Sequence, residues 1–365
     1  MTFAALKNAI DEGIRRNLHT GIQIYISQHG VPLLDAGFGE AAPGTAINSH
    51  TTMLWRSAGK PLTAALLLNL LAEHHLSQAT LLGDVLSDCG DKSQLSFHQL
   101  LTHQSGFPET DTGWPHVSWS ESVRRVIDTP ATLEVGTAAY HPQSSWFLLA
   151  EAIRVLDSGE NGKRPFPEVL RSRLLQPALL NRTHCGIPEE TSAGLPANVL
   201  PVLYERQQSK LVPSAYSSGA WLSTPSAGGN LRGPVCELGN FYELLLRGGA
   251  LPDGRQVLRP EVVEQLTAPG RTGEFDLTLQ HKVDFAAGVI CNSARYGAET
   301  VPYGFGKAAT EAAFGHGGAQ CSMGFCDPPH GLVVAWAANA FCGEGQHQRR
   351  NRMINDAVWE DLSLL

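Results

Sequence analysis

Strand signals sit at the two ends of this 365-residue chain and helical signals fill its middle. That distribution limits the available folds more than any single motif does. Residues 22–28 alternate apolar and polar positions, residues 29–30 read as a turn, and 31–39 return as a second strand. Apolar runs bounded by turn residues predict further strands at 285–292, 323–326 and 332–338, with 327–331 as a hairpin turn. Between them, helical periodicity predicts helices over 57–76, 96–103, 120–128, 143–157 and 165–175. Residues 181–235, rich in Gly, Pro and Ser, read as loops, and 241–247 and 261–266 as short helices. Amphipathic helices are predicted at both ends. Over 3–18, Phe3, Leu6, Ile10, Ile14 and Leu18 share one stripe; over 347–363, Met353, Ile354, Val358 and Leu362 do. The simplest packing is an α/β fold. One mostly antiparallel sheet is built from both termini and flanked by helices, with a mainly helical lobe inserted. Residues 1–56 and 236–365 would form the sheet domain and 57–235 the helical domain, with a cleft between them.

Composition narrows the function classes. A hydrophobic content of 42% with 17% charged residues describes an ordered globular chain. The net charge of −8 argues against nucleic acid as a partner. The one basic cluster, Arg349-Arg350-Asn351-Arg352, reads as the solvated face of the terminal helix. No run is long enough to span a membrane, since the apolar stretch 64–72 is short and broken by Asn69. The N-terminal stretch lacks a secretory pattern, so the expectation is a cytoplasmic protein. The cysteines number seven, an odd count without a Cys-x-x-Cys pair, and are expected as small buried apolar residues. No ligand spacing points to a metal, and no motif points to a cofactor. Residues 228–233 resemble a phosphate loop but lack its lysine.

Ser57-Ala58-Gly59-Lys60 opens the longest apolar helical run. Positions i and i+3 share a helix face, so Ser57 and Lys60 point into one cavity. A hydroxyl nucleophile then stands beside an amine able to take its proton. A helix N-terminus also favours a developing oxyanion. Of seven lysines, Lys60 alone has a serine three residues before it. About one such match is expected by chance in a chain of this size, so the pair is a hypothesis until other segments agree. No Gly-x-Ser-x-Gly elbow and no His-Glu-x-x-His occurs.

Other segments do agree. Residues 52–64, containing Ser57 and Lys60, are followed by Leu100-Leu101-Thr102-His103-Gln104-Ser105-Gly106, then by Gly136-Thr137-Ala138-Ala139-Tyr140, then by Gly315-His316-Gly317-Gly318-Ala319. In this order and spacing, from about residue 20 to 340, the chain resembles the serine β-lactamase-like superfamily. That superfamily includes class C β-lactamases, D-alanyl-D-alanine carboxypeptidases, D-aminopeptidases, family VIII carboxylesterases and some biosynthetic acyltransferases. The resemblance implies the two-lobed fold described above. It implies that Ser57 is the acylated nucleophile, with Lys60 and Tyr140 as general base and acid. It implies an oxyanion hole from the amides of Ser57 and Ala319, with His316, Gly317 and Gly318 along the substrate. The two glycines are expected to let the strand approach the substrate closely.

One departure stands out. The second motif, usually Tyr-x-Asn or Tyr-x-Ser, is Tyr140-His141-Pro142 here, so the side-chain amide contact is missing unless Gln143 or Ser144 replaces it. This argues against a β-lactamase or cell-wall peptidase. The expected activity is hydrolysis of a small-molecule ester or amide, or transfer of the acyl group to another acceptor. A non-catalytic binding protein on the same fold is the competing class. Trp114, Trp119, Tyr216 and Trp221 either line the substrate pocket or pack the surrounding loops.

Overall fold

A seven-stranded, wholly antiparallel sheet draws three strands from one end of the chain and four from the other. The computed structural model describes residues 2–159 and 162–364. The strands are β1 (Gly21–Gln28), β2 (Val31–Ala42), β3 (Thr45–Ala46), β4 (Ile290–Cys291), β5 (Phe314–Gly318), β6 (Ser322–Asp327) and β7 (Leu332–Ala338). Their spatial order is β4-β5-β6-β7-β1-β2-β3. The central pairing, Ile22 opposite Ala338 through Gln28 opposite Leu332, joins residues over three hundred apart in sequence.

The terminal helices Ala4–Arg15 and Glu344–Asp361 cover one face of the sheet. Asp361 fastens them together: its carboxylate accepts the free amides of Ala5 and Leu6 at 3.0 and 2.8 Å, at the electropositive start of the first helix. The other face carries a helix that begins at Val235, six residues before the expected start. Its position explains why β1 is buried on both sides although its sequence alternates. Gln23, Tyr25 and Ser27 face this helix instead of water. Gln23 accepts the Val235 amide at 2.6 Å, Ser27 donates to Glu243, and Gly239 leaves the space that the Tyr25 ring fills.

Several sequence expectations shift. Of 285–292 only Ile290–Cys291 pairs as strand, and 314–318, expected only as a strand edge, is a full member of the sheet. Residues 181–235 are not all loop. Leu231–Gly233 pairs with both Met53–Leu54 and His184–Cys185, which ties the segment before Ser57 to the middle of the chain. Arg350 is not on a solvated face: it is buried and donates to the carbonyls of Leu18 and Gln320. All seven cysteines are buried and unpaired, as expected. Among the described residues no helix is long and apolar enough to cross a membrane.

Two large apolar cores result among the described residues, beside a small satellite around Leu54 and Phe341. One gathers around Lys60–Glu73 and Ser144–Leu156, and the other lies between the sheet and the terminal helices. Trp55 and Ala58 belong to the first and Tyr140 to the second. Ser57 lies at the seam.

Candidate active site

Ser57 is presented by a tight turn. Residues Arg56–Gly59 form one 3-10 turn, and the α-helix starts at Lys60 with Pro61 in its first turn, where no amide bond is lost. Arg56 adopts φ +50°, a left-handed conformation that costs a non-glycine residue about 1 kcal/mol or more. Its surroundings hold it there. The guanidinium lies 4.5 and 4.9 Å from the ring centres of Tyr216 and Phe341 and donates to the Tyr216 hydroxyl. The Trp55 amide and indole donate at 2.9 Å each to the carbonyls of Leu231 and Gly233. Ser322 of β6 donates to the Trp55 carbonyl.

Lys60 is fully buried, with Nζ 2.9 Å from Ser57 Oγ, 2.7 Å from the Pro142 carbonyl and 2.5 Å from the Gly228 carbonyl. Burial holds its pKa well below the ordinary lysine value, with Arg56 adding to the effect and Glu109 opposing it. All three partners are oxygens that can accept from Nζ; a Lys60 that has lost its proton would keep two N–H donors for the carbonyls and turn its lone pair to the Ser57 hydroxyl. Pro142 therefore contributes its backbone carbonyl. Gly228 can approach because it lacks a Cβ, which would meet Trp146 at 2.9 Å and the Pro142 oxygen at 3.0 Å. Thr63 secures the neighbouring Ala227 carbonyl at 3.0 Å.

Tyr140 is the second group beside Ser57. Burial raises its phenol pKa, and the neighbouring Ser57 hydroxyl offsets part of that rise. Burial thus acts on the two groups in opposite senses, easing loss of the lysine proton and holding the phenol proton in place. His103 sits against the Tyr140 ring, 4.6 Å between centres, and its Nδ1 accepts the His141 amide at 3.1 Å. The conspicuous Leu-Leu-Thr-His-x-Ser-Gly stretch is thus scaffold for Tyr140. A buried ion pair does similar work. Asp276 accepts the Tyr140 amide at 3.1 Å and pairs with Arg271 at 2.9 Å; Arg271 reaches the Thr102 carbonyl at 3.0 Å. Both side chains are fully buried. No sequence pattern marked Arg271 or Asp276, since their spacing of five matches no helical or strand period.

The 315–319 segment completes the wall. Neither the Ser57 nor the Ala319 amide donates to a backbone acceptor among the described residues, and both residues line the same cleft. That arrangement suits an oxyanion. The glycines also make room for neighbours within the protein. A Cβ on Gly317 would lie 2.1 Å from the Tyr303 ring, and one on Gly318 would lie 2.1 Å from the Trp55 carbonyl. They admit protein neighbours, which brings β5 against the nucleophile turn. His316 is buried, and its Nδ1 stands 2.7 Å from the Gly317 carbonyl. A carbonyl only accepts, so Nδ1 carries the proton and Nε2 is a bare acceptor. Burial, and next Lys60, push the imidazole pKa down to about 3, which keeps it neutral.

Gln143 is not among the residues lining this cleft; its side-chain oxygen lies 3.5 Å from Thr112. Ser144 is committed to Glu109 at 2.8 Å. Glu109 was not foreseen. Its carboxylate caps the helix after Tyr140 by accepting the Gln143 and Ser144 amides at 3.0 and 3.1 Å. Trp114, Tyr216 and Trp221 form an aromatic cluster that backs Arg56, and Trp119 packs on Phe147 and Phe166; none lines the cleft. The cleft itself is about 420 Å³ and is lined by Ser57, Tyr140, His316 and Ala319 together with Leu279, Tyr303, Glu344 and Gln348.

A serine, a buried lysine and a buried tyrosine at the seam of an antiparallel α/β fold define the β-lactamase-like class. The chain belongs to the beta-lactamase family, whose model matches residues 6–358. Solved structures share the fold. A penicillin-binding protein homologue from Caulobacter crescentus is 22% identical with TM-score 0.75, over 100% of this chain and 97% of that one. EstCE1, described as a hydrolase with promiscuous acyltransferase activity, is 16% identical with TM-score 0.78, over 97% of each chain. A family VIII carboxylesterase is 19% identical with TM-score 0.77, over 98% of this chain and 97% of that one. None of the curated proteins compared matches the sequence.

Proposed function

We propose that this protein is a serine hydrolase that cleaves a small ester or amide through an acyl-enzyme on Ser57. The observation that carries the reading is the fully buried Lys60 Nζ with three oxygen partners, two of them carbonyls and the third the Ser57 hydroxyl at 2.9 Å. Lys60 removes the Ser57 proton as Oγ attacks the acyl carbon. The amides of Ser57 and Ala319 receive the negative charge on the acyl oxygen. Tyr140, kept protonated by burial, donates to the departing alcohol or amine and is reprotonated from Lys60. Water then attacks the acyl-enzyme by the reverse proton path. The carboxylesterase and hydrolase among the structural neighbours support this reading.

A second reading shares the acyl-enzyme and differs only in the acceptor: an alcohol or amine in place of water. The acyltransferase activity described for EstCE1 favours keeping it. One experiment separates these readings. Nitrophenol release from a short-chain p-nitrophenyl ester is followed in wild type and Ser57→Ala. Steady turnover in wild type alone marks a hydrolase. A stoichiometric burst that stalls, and resumes on adding an alcohol or amine, marks a transacylase. Equal background from both proteins, with no labelling of Ser57 by a phosphonate probe, refutes the enzyme assignment and favours a binding protein.

A further inference from the structure

The peptide bond between Pro142 and Gln143 is engaged at both ends. Its carbonyl oxygen stands 2.7 Å from Lys60 Nζ, and its N–H donates to Glu109 Oε1 at 3.0 Å. The bond is trans and planar, so its C=O and N–H point in opposite directions. Lys60 and Glu109 therefore lie on opposite sides of one rigid group, about 7 Å apart from nitrogen to oxygen. The peptide dipole is aligned between them, with its negative end toward the amine and its positive end toward the carboxylate.

Glu109 is fixed in that place. Its Oε2 takes the Ser144 amide at 3.1 Å and the Ser144 hydroxyl at 2.8 Å. Three donors on one carboxylate is the pattern of its ionised form. Although part of the residue is open to solvent, packing around the carboxylate draws its pKa up, while the Ser144 hydrogen bonds and Lys60 draw it back. An acid at a helix start is common, and the cap by itself would signify only that. The second observation is the setting of Lys60. Its Nζ touches only the oxygens of Ser57, Pro142 and Gly228, with no carboxylate in direct contact. The other titratable groups that face it supply no negative charge. Burial holds His103, His141 and His316 below the ordinary histidine value, and it keeps the proton on Tyr140. Arg56 is a cation and acts against a charged Lys60; Glu109 is the negative charge that acts in its favour.

We propose that Glu109 is the counter-charge of Lys60, acting through the Pro142–Gln143 peptide to stabilise the ammonium that forms when Lys60 takes the Ser57 proton. This rests on the reading of Ser57 as the acyl carrier. In that step the Ser57 O–H bond breaks, an N–H bond forms on Lys60, and the Oγ electron pair goes to the acyl carbon. The charge on Lys60 rises by one, and the Pro142 carbonyl meets it already polarised by the Gln143 N–H bond to the carboxylate. Glu109 touches no reacting atom and is a positioning residue.

The test is the pH dependence of kcat/KM on p-nitrophenyl butyrate in wild type, Glu109→Gln and Ser144→Ala. Glu109→Gln keeps an oxygen for the cap and loses the charge. The ammonium form is then less stable, so the acid limb should move to lower pH, and the weaker base should lower the plateau about threefold, the scale of one charge about 7 Å away in a partly solvated setting. Ser144→Ala removes one hydrogen bond from the same carboxylate and leaves the charge, so its acid limb should stay in place. A second measurement needs no turnover. In chemical denaturation, Glu109→Gln should cost more stability beside Lys60 than in a Lys60→Met background. That excess should grow as pH falls, because the wild-type fold holds the Lys60 proton more readily than the variant fold does. A lowered plateau with an unmoved acid limb, a limb that moves to higher pH, or costs that simply add in the denaturation cycle would overturn the proposal. A coupled cycle in a protein that turns over no ester and is not acylated on Ser57 would overturn the hydrolase reading alone. Turnover through Ser57 with an additive cycle would overturn this one alone.

Discussion

Replacing Gly318 by alanine adds one methyl group where the structure has no room for it. That carbon would lie 2.0 Å from Ser322 Oγ and 2.1 Å from the Trp55 carbonyl oxygen. Ser322 Oγ can rotate, but only by abandoning its bond to the same carbonyl. The carbonyl cannot rotate, because it belongs to the turn that sets Arg56 at φ +50°. The contact is short of van der Waals separation by about 1.3 Å, so β5 must retreat by roughly that much. The Ala319 amide rides on β5 and leaves the oxyanion position with it. A displacement of about 1 Å in a catalytic group costs on the order of 100-fold, and loss of one oxyanion donor costs about 100- to 1,000-fold in kcat. Gly318→Ala should therefore lose at least about 100-fold in kcat on a p-nitrophenyl ester, with overpacking lowering stability by about 1–3 kcal/mol. Gly345→Ala is the control, since nothing lies near a Cβ at that position. Stopped-flow or steady-state nitrophenol release, with thermal unfolding of both variants, would decide the matter. Wild-type kcat and melting temperature in Gly318→Ala would refute the argument that β5 positions the oxyanion donor.

Other consequences are equally open to measurement. Tyr140→Phe should keep the fold and lose about 100- to 10,000-fold in kcat, the usual worth of a general acid, read in the same ester assay. The pH–rate profile of wild type should rise with pH as Lys60 loses its proton, and it should show no alkaline fall near pH 10, because burial raises the Tyr140 pKa. Lys60→Met should abolish activity yet stabilise the protein at pH 7 by about 0.5–2 kcal/mol. The sign follows from proton binding: the unfolded chain holds a proton on Lys60 that the folded chain does not. Wild-type stability therefore climbs with pH up to the ordinary lysine value, and the variant's advantage should shrink over that range in chemical denaturation. Asp276→Ala leaves Arg271 buried and unpaired and should cost about 3–5 kcal/mol in the same measurement, with activity falling as Tyr140 loses its amide anchor.

The sheet was legible in outline because its strands are marked by local patterns. Residues 22–28 and 332–338 each read as strands on their own account. Nothing in either segment states that the two pair, which depends on contacts three hundred residues apart. Residues 314–318 were less legible as a strand because three of the five are glycine, small for the sake of Phe325, Tyr303 and Trp55 and not of any strand preference. The late start assigned to the Val235–Leu246 helix has a similar cause. Its first turn is read by Gln23, far away in sequence, through the Val235 amide.

By itself the sequence brought the proposed nucleophile and its amine together, because Ser57 and Lys60 lie three residues apart and a helical turn fixes that separation. It also determined that Tyr140 and the 316–319 segment belong with them, through the order and spacing of the family motifs. Tertiary structure alone decided what those groups can do. Lys60 has a lowered pKa because it is buried in a dry core, where Pro142 and Gly228, 82 and 168 residues away, set their carbonyls against Nζ. Tyr140 holds its proton and its place through His103, Asp276 and Arg271. His316 became an acceptor when the Gly317 carbonyl fixed its tautomer. Spacing along a helix is a local quantity that a sequence encodes directly. Burial, tautomer and charge balance depend on everything packed around a group, and only the folded chain sets them.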